Sequence, residues 1–431
     1  MALSTQPYKG TRDFYPEEMR MRRWMFGKLR DVVQSYSYLE YDGPMLEPFE
    51  LYAAKTGEEI VNQQLYWLMD RGERKMAIRP EMTPTLARMV AAKFHELPKP
   101  VRWFSIPNLW RYERPQRGRL REHWQLNVDL LGGDPLLADA EILNVALDIV
   151  KTFGGEKKVV IKINNRKLMD FLFKEKLGLD ADAALKVTKA IDARDKIGEE
   201  AYQKWLGELG LSSKHQQQLE LFFRSDFNGV KKDFMCEGVK ELDQLFSLLR
   251  ESGTPTEKIV FDPSVIRGLD YYTGTVFEMY DTSPENRRAI FGGGRYDNLL
   301  GLFGNYKLSG VGLGMGDVTL GHFLETHHLL PTFGDEIDLY VTLPKLEMRK
   351  TTEKIARDAR EKGLRVMTAL SEDSFAAQLK AASKAGVRFV ALLGDDEYAR
   401  GSCVVKDLRD GQQTECLFKD VADWVQASSS R

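Results

Sequence analysis

The sequence predicts an α+β protein with a small α/β domain at its C-terminal end. Three observations carry that expectation. Strand-like patches flank an arginine-rich run at 111–123. A Lys- and Glu-rich helical stretch follows from about 160 to 258, and strand and helix alternate beyond Asp335.

From Arg20 to Tyr38, Met25, Leu29, Val32 and Val33 recur at helical spacing until Asp42-Gly43-Pro44 breaks the pattern. A second helix is expected over 85–94 and ends at Leu97-Pro98-Lys99-Pro100; strands follow at 101–106 and 124–130, then a helix over 137–153. VVIKI (159–163) reads as the strand that opens the helical stretch. Strand and glycine chemistry returns in VIRGLDYYTGTVFEMY (265–280), FGGGRYDNLL (291–300) and SGVGLGMGDVTL (309–320). After Pro331–Asp335 come strands at 337–343, 364–369, 387–393 and 402–408, with helices at 346–362 and 373–385. The expected organisation is a core split into 1–159 and 259–330 by a helical insertion at 160–258, followed by a separate domain at 335–431.

The balance of 62 Lys+Arg against 64 Asp+Glu, net −2, excludes a protein coated in nucleic acid but permits a local basic site. Cys236, Cys403 and Cys416 lie far apart with no CxxC pair, which argues against a disulfide scaffold or a cysteine-built zinc site and suits a reducing compartment. No apolar run approaches membrane length, and MALSTQPYKG lacks the pattern of a signal peptide, so a cytoplasmic location is expected. The six histidines show no HExxH spacing; no dedicated metal site is expected, and His327-His328 reads as exposed linker.

Four segments carry candidate chemistry. Arg111–His123 holds five arginines and two glutamates, and the even spacing of Arg111, Glu113, Gln125 and Asp129 places them on one face of a strand pair. The guanidiniums of Arg111 or Arg119 suit a phosphate, and the loop Gln116–Arg121 suits a nucleic-acid backbone; a solvated hairpin with internally paired charges is the plainer reading. In MAIRPEMTPTLARM (76–89), Glu81 either binds a cationic amine or, with Thr83, caps the following helix, the cap being favoured locally. In RGLDYYTGTVFE (267–278), Tyr271 and Tyr272 face opposite sides of an extended segment behind Arg267. Gly292-Gly293-Gly294 permits close approach of a ligand or a neighbouring strand, but neither it nor GVGLGMG (310–316) matches a phosphate-loop or dinucleotide fingerprint.

Taken in order, GTRDFYP (10–16), the Pro44 segment, RPEMT (79–83), RYERPQRGR (111–119), RGLDYYTG (267–274) and GGGRYD (292–297) resemble the histidyl-tRNA synthetases, a family of class II aminoacyl-tRNA synthetases. The resemblance spans essentially the whole chain, and LGDDEYARGSCVVKDL (393–408) looks like part of the family's anticodon-binding domain. It implies a largely antiparallel sheet flanked by helices, a helical insertion and a homodimer. The implied activity joins L-histidine to ATP as histidyl-adenylate, with Mg²⁺, and then transfers histidine to the 3′ end of tRNA(His). On the matching positions, Glu81, Thr83 and Gln125 hold the amino group of histidine, Asp129 and Tyr272 read its imidazole, and Tyr296 closes the pocket. Arg111 and Arg267 serve the α-phosphate and are the catalytic pair, Glu113 lies near the adenine or its metal, and Arg119 near the outer phosphates. Gln116 and Arg121 belong to the loop that meets the tRNA acceptor end.

Two positions depart from the family: its bacterial pattern often has Glu where Asp129 stands, and the end of the third motif differs. The third class II motif ends in Glu-Arg, whereas Gly316-Asp317 stands here. Either another residue meets ATP, with Arg287 or Arg288 as nearby candidates, or the chain no longer activates histidine. The second possibility leaves two alternatives: the non-catalytic histidine-sensing regulatory subunit of ATP phosphoribosyltransferase, and a silent tRNA-sensing module. Intact RGLDYYTG and GGGRYD segments and the retained C-terminal region argue against the first. The joint presence of Glu81, Arg111, Gln125 and Arg267 argues against the second.

Overall fold

The computed structural model describes residues 3–54, 60–266, 272–286 and 288–429, and the chain divides into two compact units, 1–330 and 331–431. The first unit opens with helix α1 (Pro16–Ser35), which begins earlier than the apolar spacing indicates because Pro16 occupies its first turn beside Glu17 and Glu18. Met25, Phe26, Leu29 and Val33 form its buried face. Strands β1 (Leu39–Glu40) and β2 (Leu46–Pro48), helix α2 (Phe49–Ala53), strands β3 (Trp67–Met69) and β4 (Lys75–Ile78) and helix α3 (Thr83–Ala92) follow. Then come β5 (Val101–Ser105), β6 (Asn108–Trp110), β7 (Glu122–Leu131) and α4 (Pro135–Thr152), whose first turn is capped by Asp134 accepting from Leu137 N at 3.0 Å.

The predicted helical stretch begins with β8 (Val159–Asn165), a strand of the main sheet. The helices themselves are α5 (Arg166–Phe171), α6 (Ala181–Ile197), α7 (Glu199–Glu208), α8 (Ser213–Arg224), α9 (Phe227–Asp233) and α10 (Glu237–Glu251). Their buried residues, among them Leu168, Val187, Leu219 and Leu242, belong to the same hydrophobic cluster as the sheet strands. The unit closes with β9 (Ile259–Phe261), β10 (Thr275–Asp281), β11 (Ala289–Arg295), β12 (Gly310–Gly316) and α11 (Asp317–Thr326).

Among the described residues these strands build a nine-stranded sheet ordered β1-β5-β7-β12-β11-β10-β8-β9, with β6 also paired to β7, and a smaller sheet ordered β2-β4-β3. Only the outer pairs β1·β5 and β8·β9 are parallel. One face of the large sheet buries Leu126, Val128 and Leu130 against helices α1 and α4, leaving the opposite face for the site. His327, expected as exposed linker, instead follows α11 with its Nε2 2.7 Å from Asp281 Oδ1 and its ring edge-on to Phe323. That contact joins residues distant in sequence, so local polarity does not announce it.

The second unit contains β13 (Ile337–Val341), α12 (Arg349–Glu361), β14 (Val366–Thr368), α13 (Phe375–Lys384), β15 (Val387–Leu392), α14 (Asp395–Ala399), β16 (Ser402–Asp407), β17 (Gln413–Leu417) and α15 (Val421–Ser429). Its sheet runs β14-β13-β15-β16-β17, parallel around β13 and antiparallel beyond β15. Cys403 and Cys416 oppose each other across β16 and β17 as free thiols. No helix among the described residues is long and apolar enough to cross a membrane.

Candidate active site

Strand β7 organises the site. Alternation sends Leu126, Val128 and Leu130 into the core and Gln125, Asn127 and Asp129 to the other face. The neighbouring strand β12 places Gly312 opposite Asp129, Gly314 opposite Asn127 and Gly316 opposite Gln125, while Gly294 of β11 opposes Gly312. This side of the central sheet is therefore a stripe of bare backbone. A Cβ added at Gly312 would stand 2.6 Å from Asp129 Oδ1 and 2.8 Å from the Tyr296 hydroxyl. One at Gly314 would meet Gln125 Nε2 at 2.9 Å, and one at Gly294 the Tyr272 ring at 3.0 Å. The glycines are bare because Gln125, Asp129, Tyr272 and Tyr296 lie across them.

Asp129 is 5% exposed and accepts a hydrogen bond from the Tyr296 hydroxyl. Burial pushes its carboxyl up to about 7, opposed by that hydrogen bond. The GGGRYD segment holds this end of the site in place. Arg295 turns away from it and donates from Nη2 to Asp139 Oδ1 at 2.5 Å and to Pro135 O at 2.6 Å. Thr273 N donates to Arg295 O at 2.7 Å, and the Thr273 hydroxyl donates to Asp297 Oδ2 at 2.8 Å, which fixes the backbone next to Tyr272.

Along β7 from Asp129 to His123 is about 20 Å at 3.3 Å per residue, and the arginine hairpin lies at that far end. β6 stops at Trp110, so Arg111 and Glu113 stand just past the strand rather than on it, although Arg111 N still donates to Arg121 O at 2.8 Å. Arg111 Nε donates to Pro80 O at 2.9 Å, bringing the RPEMT segment against the hairpin. Glu113 pairs with Arg119 at 2.7 Å. Gln116 and Arg119 exchange backbone hydrogen bonds of 2.9 Å around the tip, where Gly118 has a φ of +76° that favours glycine. Arg121 folds back, donating to Glu113 O at 3.1 Å and to the Tyr8 hydroxyl at 2.5 Å, with its guanidinium over Tyr112.

The N-cap position of α3 is Met82, and no side chain caps this helix, so the capping role favoured locally for Glu81 or Thr83 is not found. Pro84 occupies the first turn instead, removing one donor that would need a partner. Arg79, buried at 4% exposure, is the structural member of RPEMT: it donates to Asp42 Oδ1 and Gly43 O at 2.7 Å and to Asn108 O at 2.9 Å.

Sequence reasoning passed over His123 and Arg12. His123 shares the face of Gln125 and Asp129, a placement its odd number on β7 already signals, and burial followed by the charges of Arg111 and Arg12 holds its imidazole down at about 3. Arg12 reaches Asp317, the residue standing at the departed third-motif position. Arg267, Tyr271 and Arg287 lie outside the described residues.

The largely antiparallel sheet, its arginine hairpin and the glycine-floored face between them define a class II aminoacyl-tRNA synthetase core. Residues 10–316 match the family model for histidyl-tRNA synthetase, and residues 338–428 match an anticodon binding domain. The chain belongs to the histidyl-tRNA synthetase family. It is 43% identical to a histidine–tRNA ligase of Leptospira biflexa over 100% of this chain and 99% of that protein. It is 38% identical to a chloroplastic/mitochondrial histidine–tRNA ligase of Arabidopsis thaliana, covering 97% of this chain and 86% of that one. Among solved structures, a histidyl-tRNA synthetase from Nostoc superposes with a TM-score of 0.80 at 27% identity, covering 99% of this chain and 100% of that one.

Proposed function

We propose that the chain is a histidine–tRNA ligase: it condenses L-histidine with ATP to histidyl-adenylate, releases pyrophosphate, and passes histidine to the 3′ end of tRNA(His). The observation that carries this reading is the single face of β7, with Asp129 under Tyr296 at one end and the arginine hairpin at the other, joined by a glycine floor. An amino acid bearing an imidazole suits the first end and a triphosphate the second.

In this reading the ammonium of histidine is held by Glu81, Thr83 and Gln125, and its imidazole by Asp129 and Tyr272 under the lid of Tyr296. The histidine carboxylate attacks the α-phosphorus as pyrophosphate leaves, a step that transfers no proton but concentrates negative charge. Arg111 and Arg267 stabilise that charge as fixed guanidiniums, Arg119 meets the outer phosphates, and Glu113 lies near the adenine or its metal. Gln116 and Arg121 lie in the loop offered to the acceptor end of tRNA.

No cluster of three or more His, Cys, Asp or Glu able to hold a metal occurs among the described residues. Mg²⁺ fits as an ion carried by the ATP phosphates, with Glu113 as a protein carboxylate on offer; when bound, it neutralises phosphate charge. A homodimer belongs to the same reading, supported by exposed apolar residues at 39–46 and 67–69, including Leu39 at 66% and Trp67 at 55% exposure. So does a cytoplasmic setting, in keeping with three free cysteines.

The test is ATP–pyrophosphate exchange, expected only when histidine is present. Absence of exchange, together with activation of a short-form ATP phosphoribosyltransferase, would replace the ligase reading with the regulatory one.

A further inference from the structure

Asp317 is buried, and both of its oxygens are engaged: Oδ1 accepts from Trp124 N at 3.0 Å and Oδ2 from Arg12 Nη2 at 2.7 Å. A carboxylate committed in this way is an anchor rather than a ligand. What it anchors is a guanidinium from the GTRDFYP segment, 305 residues away in sequence. That segment is itself fixed to the arginine hairpin, because Gly10 O accepts from Arg121 N at 2.9 Å and Glu122 N at 3.3 Å. Gly10 has a φ of +88°, and a Cβ there would stand 2.9 Å from both Arg121 Cγ and Pro115 Cγ, so this close approach calls for glycine.

Arg12 Nε is buried and, among the described residues, has no hydrogen-bond partner. An unmet buried donor is costly unless something arrives to accept from it. The surroundings suit an anion or a purine edge. Arg12 stands beside both the hairpin and α11, because its segment is bonded to Arg121 and Glu122 through Gly10 O and its own guanidinium is bonded to Asp317 at the head of α11. A cavity of about 260 Å³ opens between the hairpin tip and α11, walled by Gln116, Arg117, Arg288, Thr319 and His322 among others, and Arg12 is not part of its wall.

We propose that Arg12, oriented by Asp317, is the guanidinium that contacts ATP in place of the third-motif arginine. The charge pattern is exchanged rather than lost: the carboxylate stands at the head of α11, and the guanidinium comes from the N-terminal segment. Asp317 is then a positioning residue and Arg12 an ATP-binding one. This inference rests on the ligase reading.

The test uses the full-length chain in histidine-dependent pyrophosphate exchange, with KM for ATP and for histidine measured separately and ATP binding measured by calorimetry without turnover. No exchange by the wild-type chain would overturn the ligase reading and this inference with it; normal wild-type exchange isolates the inference. Arg12→Lys retains the charge but not the planar fork, and is expected to raise the KM for ATP roughly tenfold or more while the KM for histidine stays within about twofold. Because breaking the pair can also loosen the fold, the exchange variant Arg12→Asp with Asp317→Arg provides the second arm. It is expected to regain roughly tenfold or more of the ATP affinity lost in Arg12→Asp alone. No recovery overturns the proposal. So does a lowered unfolding temperature with the ratio of the two KM values unchanged, or a large ATP effect in Arg288→Ala with none in Arg12→Lys.

Discussion

Replacing Asp129 with Asn isolates the electrostatics of the proposed histidine pocket. Asn keeps an oxygen to accept the Tyr296 hydroxyl but cannot carry the charge that burial disfavours. A carboxyl with a folded-state pKa of about 7, against an ordinary value of 3.8, keeps its proton longer in the folded chain than in the unfolded one. The wild-type fold is thus destabilised as pH rises from about 4 to about 7, and the deficit is complete above 7. At about 1.4 kcal/mol per pH unit over that interval, the penalty is at most about 4 kcal/mol, less whatever water penetration recovers. Urea unfolding of the ligand-free protein from pH 5 to 9 should therefore show Asp129→Asn as the more stable chain at pH 8, with the advantage shrinking towards pH 5. Histidine binding should move the opposite way, weakening roughly ten- to a hundredfold at pH 8 through loss of a charged acceptor. Parallel stability profiles for the two proteins across this range would refute the reasoning, because they would mean that Asp129 does not titrate there.

Three further outcomes are expected. Gly312→Ala pushes a methyl to 2.6 Å from Asp129 Oδ1 and Val128 O, so the KM for histidine should rise roughly tenfold or more while ATP binding by calorimetry is little changed. Arg295→Met strands the buried Asp139 carboxylate and should destabilise the first unit by about 3–5 kcal/mol in urea unfolding, with Asp139→Leu added to the same chain restoring part of the loss. Arg267→His should abolish pyrophosphate exchange while the histidine dissociation constant from calorimetry stays within about threefold; lost binding with intact chemistry would contradict its proposed role.

Much of the site was legible because it is written in strand alternation. The spacing of Gln125 and Asp129 places them on one face, and glycines at 310, 312, 314 and 316 leave bare backbone opposite that face. What stayed hidden are polar pairs closed across long stretches of chain: Arg12 with Asp317, Arg295 with Asp139, and His327 with Asp281. Periodicity reports which way a side chain points, not which distant partner meets it. Arg295 shows the difference, since it sits inside a motif that suggests ligand contact and instead ties β11 to α4. Three elements of the second unit were also missed, the five-residue α14 among them. β17 is short, with only Cys416 buried, and α15 is a nine-residue helix that buries only Val421, Ala422 and Val425. Neither run is long enough for its pattern to stand out from a tail.

The position of β12 bears on the order in which the molecule can be built. This strand alone joins β1-β5-β7 to β11-β10-β8-β9, and it leaves the ribosome after every other strand of that sheet. Four of its seven residues are glycines, which are poor strand formers, so its pairing relies on both neighbours already standing ready. Until it arrives, the growing chain carries two unpaired strand edges, at β7 and at β11, of the kind that invite pairing with other chains. The strand that floors the proposed histidine pocket is also the one that closes the sheet, so a nascent chain halted before Gly310 would have neither a finished fold nor a floor for its substrate.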